Sequence, residues 1–148
     1  MGWEEAFSIP IAFAAYYIGF SLIAGGRHGP VLALEIAGAI LFAGGSVTNT
    51  LSELLRNSWK LKPENKGRLY TGGLFRFSRH INYFGDILWV LGLSLITSNP
   101  WALIIPAALF CFFAFYNAPM LDRHLAAEYG DQFKEYAERT KKIVPFIY

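Results

Sequence analysis

The sequence predicts an all-α integral membrane protein of about four spans, folded as one domain. Three observations carry this. Four apolar stretches occupy much of a chain of 148 residues. Hydrophobic residues make up 54% and charged residues 16%, which is apolar for a soluble domain of this length. The basic residues gather on one side of those stretches.

The first element is a span at about Ser8–Ala24, "SIPIAFAAYYIGFSLIA". The "MGWEEAF" before it carries two glutamates and no basic n-region, so no cleavable signal peptide is expected. Ala6 stands where a myristoylation pattern wants Ser or Thr, so no lipidation is expected. The second span is about Pro30–Val47, joined to the first by "GGRHG". A cytoplasmic loop over 48–80 follows. The third span is about Ile81–Thr97 and the fourth about Trp101–Pro119, joined by "SNP". Each stretch holds roughly 17 to 19 residues, at the lower edge of what crosses a bilayer. The two short links fit helical hairpins.

The remainder, 120–148, reads as a cytoplasmic tail. Leu121, Leu125, Tyr129, Phe133 and Tyr136 fall near one face of a helix at spacings of three and four. Gly130 interrupts that helix, and Pro145 ends any further one.

Charge orients these spans. Of 13 basic residues, seven lie in 51–79 and five after Pro119. The positive-inside rule therefore places the central loop and both termini in the cytoplasm. Net charge is only +2, and topology accounts for twelve of the basic residues, so nucleic-acid binding is not expected. Lys60, Lys62 and Lys66 read as attraction to anionic lipid headgroups. The single cysteine, Cys111, has no disulfide partner and lacks the spaced ligands of a zinc site. It reads as packing, and no metal site is expected. Gly38, Gly44 and Gly45 permit close helix contact, which leaves a homo-oligomer open.

Ionisable residues inside a membrane segment are costly and face the protein interior or a cavity. Glu35 and Asp86 each sit about five residues into a span. For Glu35, a structural ion pair and a functional role stay equally open. Asp86 has telling neighbours. If a helix begins near Arg79, then Arg79, Asn82, Tyr83 and Asp86 form one polar stripe. Such a stripe reaches a cytosolic ligand at its mouth and a lipid-dissolved one at its depth. Asp86 and Tyr83 are the candidate catalytic residues. "NTLSELLR" adds Asn49, Glu53 and Arg56 at helical spacing. "TGGLFRFSRH" adds two glycines, with Arg76, Arg79 and His80 as donors to phosphates or carboxylates. No GxGxxG or Walker A pattern is present, so a nucleotide would need another kind of site.

From about Asn49 to Tyr148 the chain resembles the C-terminal half of membrane steroid and sterol reductases. The broader group includes isoprenylcysteine carboxyl methyltransferases, phospholipid methyltransferases and an uncharacterised set called DUF1295. "RHINYFGD" is similar to the sterol-reductase pattern R-H-x-N-Y-x-G-D. "GGLFRFSRHINYFGDI" resembles the steroid 5α-reductase pattern, with Asp86 in place of a glutamate. "NTLSE" resembles that family's N-x-x-S-D, and "YGDQFKEY" with "PFIY" the tails of both enzyme groups. The resemblance implies that Asn49, Glu53, Arg56, Asn82 and Tyr129 contact NADPH. It also implies that Asp86 binds the substrate carbonyl. The histidine that 5α-reductases place four residues before that tyrosine falls on Leu125, with His124 one residue earlier.

The methyltransferases show R-H-P-x-Y-x-G and a glutamate pair before an L-x-x-x-[FY]-G helix. Here Ile81 replaces the proline, and the pair falls on Leu121 and Asp122. Four spans fit a compact methyltransferase better than a reductase. That comparison implies S-adenosylmethionine, with Asp122 binding the donor's amino group.

Chemistry weighs the two. Hydride transfer needs a group that polarises a carbonyl or protonates a carbon. A carboxylic acid kept neutral by apolar surroundings serves, and Asp86 fits. Methyl transfer mainly aligns donor and acceptor, which leaves Asp86 without work. The leading expectation is an NADPH-dependent reductase of a lipophilic, steroid- or isoprenoid-like enone or C=C bond. The alternatives are a methyltransferase using S-adenosylmethionine on a lipid or lipidated acceptor, and a non-enzymatic membrane module.

Overall fold

A computed structural model of the chain describes residues 19, 20, 29 and 31–148. The expected first span, 8–24, and the "GGRHG" link lie outside the described residues, apart from helical Gly19 and Phe20 and from Gly29.

The described residues are helical, with no strand among them. In chain order they form α1 (Leu32–Lys60), α2 (Ile81–Ile96), α3 (Ile104–Phe112), α4 (Ala118–Tyr129) and α5 (Asp131–Arg139). Short 3₁₀ turns stand at Pro63–Asn65, Gly73–Arg76 and Pro100–Leu103. A π-helical turn at Phe113–Asn117 joins α3 to α4, so Pro100–Tyr129 is one 30-residue helix. That helix and α1 are long and apolar enough to cross a membrane; α2 is apolar but shorter.

α1 differs in extent from the apolar run that predicts it. Its 29 residues rise about 43 Å, well beyond a hydrocarbon core of roughly 30 Å. The coil runs on through "TLSELLR" to Lys60, into the stretch expected as loop. Leu, Glu and Arg are good helix formers, and no Gly or Pro interrupts 46–62.

Glycine decides how α1 meets α2, which forms the other half of this antiparallel pair. A Cβ on Gly38 would lie 2.6 Å from Gly92 O, and one on Gly85 2.7 Å from Asn49 N. Real Cβ atoms do not approach so closely, so only glycine lets the two backbones touch. Gly38 and Gly45 thus serve a contact within the chain, whereas Gly44 has open space where its Cβ would be.

After α2, Asn99 starts the fourth helix: its side-chain oxygen accepts from Trp101 N, and Pro100 takes the first helical position. The tail helix expected over 120–136 divides into α4 and α5 at Gly130, whose φ of +53° suits glycine. α4 itself continues the fourth helix without a break. Beyond α5 the chain returns to the start of α2. Arg79 N donates to Lys141 O (2.9 Å) and His80 N to Lys142 O (3.0 Å). Ser78 Oγ donates to the carbonyls of Lys142 and Ile143.

Two apolar clusters result. Phe75, Ile81, Phe133 and Tyr136 pack beneath the tail, and Phe113, Ala114, Ala118 and Ile143 pack beside α2. Large apolar side chains remain on the outside of the long helices, such as Ile40 at 65% and Phe115 at 74% exposure. An apolar exterior of this extent fits lipid, not water.

Candidate functional site

The site forms where the last turns of α1, the first turns of α2 and the tail helices converge. On α1, Asn49, Glu53 and Arg56 share one face, as their spacing predicts. Asn82 and Asp86 face them from α2. Asn49 Nδ2 donates to Asp86 Oδ1 at 2.6 Å and to Asn82 O at 3.3 Å. Asn82 Nδ2 donates to Glu53 Oε1 at 3.0 Å, and Glu53 holds Arg56 in an ion pair. Trp89 Nε1 donates to Asp86 Oδ1 at 3.0 Å. A hydrogen-bonded run thus leads from Arg56 at the mouth to Trp89 deep in the helix pair.

The expected stripe of Arg79, Asn82, Tyr83 and Asp86 is divided, because α2 begins at Ile81 and not at Arg79. Arg79 turns to the tail. Its guanidinium donates to Ala137 O (3.1 Å), Thr140 O (2.7 Å) and Asp122 Oδ2 (3.2 Å). His80 is buried, with Nε2 2.8 Å from Asp122 Oδ1. A carboxylate acceptor makes that nitrogen the protonated one. Tyr83 stacks between His80 (5.1 Å) and Phe113 (4.4 Å).

Asp122 lies beyond Pro119, where the fourth helix continues past its apolar stretch. Burial works to raise its carboxyl, but the bonds from His80 and Arg79 outweigh burial and hold it below the usual carboxylate value. Tyr136, on α5, donates to Phe75 O at 2.7 Å. Burial foremost pushes its hydroxyl well above the ordinary tyrosine value.

Between these groups lies a cavity of about 260 Å³. Arg56, Lys60, Arg79, His80 and Asn82 supply its polar wall, with Tyr70, Phe75, Tyr129 and Tyr136 as its aromatic wall. Leu121, Leu125, His124 and Glu128 stand at its α4 side. His124 is exposed and 3.4 Å from Glu128 Oε2. The Nε atoms of Arg56 and Arg79 are buried with no hydrogen-bond partner among the described residues.

Most sequence-predicted residues therefore gather here. Arg56, Arg79, His80, Asn82, His124 and Tyr129 line the cavity. Asn49, Glu53 and Asp86 stand one layer deeper, and Asp122 braces the wall from behind. Arg76 is outside the lining; its guanidinium sits over the Phe77 ring. Glu35 is half-buried on α1, far from this end of the helix. Sequence reasoning missed Trp89, Tyr70, Phe75 and the cavity role of Lys60. Trp89 had a legible signal, being three residues after Asp86 on the same helix.

Comparison with known proteins places the chain among membrane-enzyme relatives. A family model described as "Protein of unknown function (DUF1295)" matches residues 7–140. The chain is 30% identical over 109 residues to Protein-S-isoprenylcysteine O-methyltransferase B of Arabidopsis thaliana, covering 74% of this chain and 51% of that one. It is 30% identical over 111 residues to human 3-oxo-5-alpha-steroid 4-dehydrogenase 2, covering 75% and 42%. It is 25% identical over 136 residues to Delta(14)-sterol reductase erg24 of Schizosaccharomyces pombe, covering 80% and 30%. The chain spans about half or less of the length of these relatives.

Proposed function

Because the chain belongs to the DUF1295 family, whose relatives include reductases and methyltransferases, we propose that it is a membrane enzyme that reduces a lipophilic enone or C=C bond with NADPH. The observation that carries this is the charge of the cavity wall. Arg56, Lys60 and Arg79 line it with one acid, Glu128, while Glu53 and Asp122 pair with the two arginines from behind the wall. The two buried arginine Nε donors await an acceptor. A dinucleotide with several phosphates suits such a wall. S-adenosylmethionine, whose sulfonium adds a positive charge, suits it less.

NADPH, when bound, supplies the hydride. Arg56 and Lys60 offset phosphate charge, and the rings of Tyr70 and Tyr129 offer faces to a planar base. Asn82 is held by Glu53 through its Nδ2, which leaves its side-chain oxygen to accept from an amide N–H. Asp86 stands one helical turn beyond Asn82, toward the bilayer, and Asn49 and Trp89 fix its carboxyl. A lipophilic substrate entering from the membrane side would meet that carboxyl, whose protonated form would donate to the substrate carbonyl and supply the proton that accompanies the hydride.

Titration of the detergent-purified protein with NADPH and with S-adenosylmethionine tests the reading. Saturable NADPH binding is expected, weakened by roughly tenfold or more in Arg56→Gln and in Asn82→Ala. Binding of S-adenosylmethionine without NADPH would overturn it in favour of methyl transfer. One observation favours that second reading, the similarity to isoprenylcysteine methyltransferases, whose motif resemblance implies that Asp122 takes one of their paired acids. Against it, Asp122 is already engaged by Arg79 and His80. Binding of neither ligand leaves a non-enzymatic module.

A further inference from the structure

Arg76 lies beside a second surface, at the end of the chain. Its guanidinium stands 4.6 Å from the centre of the Phe77 ring, and Phe77 meets Phe146 edge-on at 5.8 Å. Phe146 and its neighbour Ile147 are each 77% exposed. Lys142 Nζ sits 5.1 Å from the Tyr148 ring. Two exposed apolar tips are thus flanked by two cations, and neither cation pairs with a carboxylate among the described residues.

The backbone holds this arrangement in place. Phe146 has φ of +65°, a conformation that bulky residues adopt only where their surroundings fix it. Ile143 N donates to Tyr148 O at 2.7 Å, and Ile147 N and Tyr148 N both donate to Val144 O. That closed turn turns the Phe146 and Ile147 side chains outward.

Position identifies what covers them. The Tyr148 ring lies 6.3 Å from Phe110, and its hydroxyl is 3.5 Å from Ala114 O. Both partners belong to the long apolar helix that also exposes Phe112 and Phe115. The patch therefore continues the lipid-facing exterior to its cytoplasmic edge. Exposed aromatic and aliphatic tips beside unpaired cations suit that depth, where acyl chains give way to phosphates.

We propose that Arg76, Phe77, Lys142, Phe146 and Ile147 form a docking surface for anionic phospholipid headgroups of the bilayer that holds the chain. The inference rests on membrane residence and not on which cofactor the cavity takes. Arg76, a donor suited to phosphates, thereby has a phosphate partner outside the cavity.

Lipid retention tests it. The full-length protein is equilibrated in mixed micelles with equal phosphatidylcholine and phosphatidylglycerol, gel-filtered, and its retained lipid quantified by mass spectrometry. Wild type is expected to enrich phosphatidylglycerol. The double variant Arg76→Gln with Lys142→Gln is expected to lower that enrichment roughly fivefold or more. Arg76→Lys with Lys142→Arg keeps the charges and is expected to keep the enrichment, which excludes a folding defect as the cause. Equal retention of both lipids by wild type, or unchanged enrichment in the neutral double variant, would overturn the proposal. Displacement of the lipid by millimolar inorganic phosphate would also overturn it, by making this an ion site.

Discussion

The Asn49 side-chain nitrogen reaches Asp86 Oδ1 at 2.6 Å, across the glycine contact where α1 and α2 run backbone to backbone. The bond ties the acid of one helix to the Asn49, Glu53 and Arg56 stripe of the other. Asp86→Asn keeps the shape of the carboxyl but not its acidity. We expect NADPH binding to survive in that variant while turnover falls by a factor on the order of 10². Single-turnover reduction of an enone, alongside the cofactor titration, checks both halves. Unchanged turnover removes Asp86 from the chemistry.

The helix contact predicts a contrast between adjacent glycines. Gly45→Ala places a methyl against Gly85 O and the Trp89 backbone, where nothing flexible can yield. It should cost more than about 2 kcal/mol. Gly44→Ala meets nothing within 4 Å and should be neutral or stabilising by up to about 1 kcal/mol. Thermal unfolding in detergent separates the two. Equal effects would mean that α1 and α2 do not touch at Gly45.

Asp122 links stability to acid. Its folded carboxyl lies below the unfolded value of about 3.9, so its contribution is present above that value and disappears as pH falls through the folded one. Asp122→Asn should cost about 2 kcal/mol near neutrality. The gap from wild type should close as the pH drops below about 4. Melting temperatures of both proteins from pH 7 to pH 3 give the test. A gap that stays constant would mean that the lost contacts do not depend on ionisation.

Tyr136 behaves in the opposite sense. Its hydroxyl is raised, so the neutral form is favoured by folding and its stabilisation is lost as pH climbs past about 10. Tyr136→Phe should cost about 1–2 kcal/mol at neutral pH, because Phe75 O loses its buried donor. The variant should lose less than wild type on alkaline titration followed by unfolding. A neutral substitution would place that hydroxyl in water.

Local patterns made part of this legible. The apolar runs after Pro30 marked helices among the described residues, and the spacing of Asn49, Glu53 and Arg56 placed them on one face. Asp86 stood out because a carboxylate in an apolar run is costly. Long-range placement was not legible. Arg79 has helical spacing to Asn82 and Tyr83, yet it precedes the helix and binds carbonyls of Ala137 and Thr140 from the tail. No periodicity records a bond across some sixty residues. Tyr70, Phe75 and Tyr136 converge on the cavity for the same reason: each is an ordinary aromatic until the chain doubles back. Gly130 was visible as a break, but its positive φ, which lets α5 fold across Arg79, needed coordinates.

The π-helical turn at Phe113–Asn117 sets the rotational phase of everything after it. Such a turn holds one residue more than the α-helical turn it replaces. Winding these same residues as regular α-helix would turn everything downstream by about 100°. Asp122 would then leave Arg79 and His80, and the Leu121 and Leu125 rim would leave the cavity. Substitutions that favour regular winding in this segment should therefore loosen the Asp122 clasp from a distance.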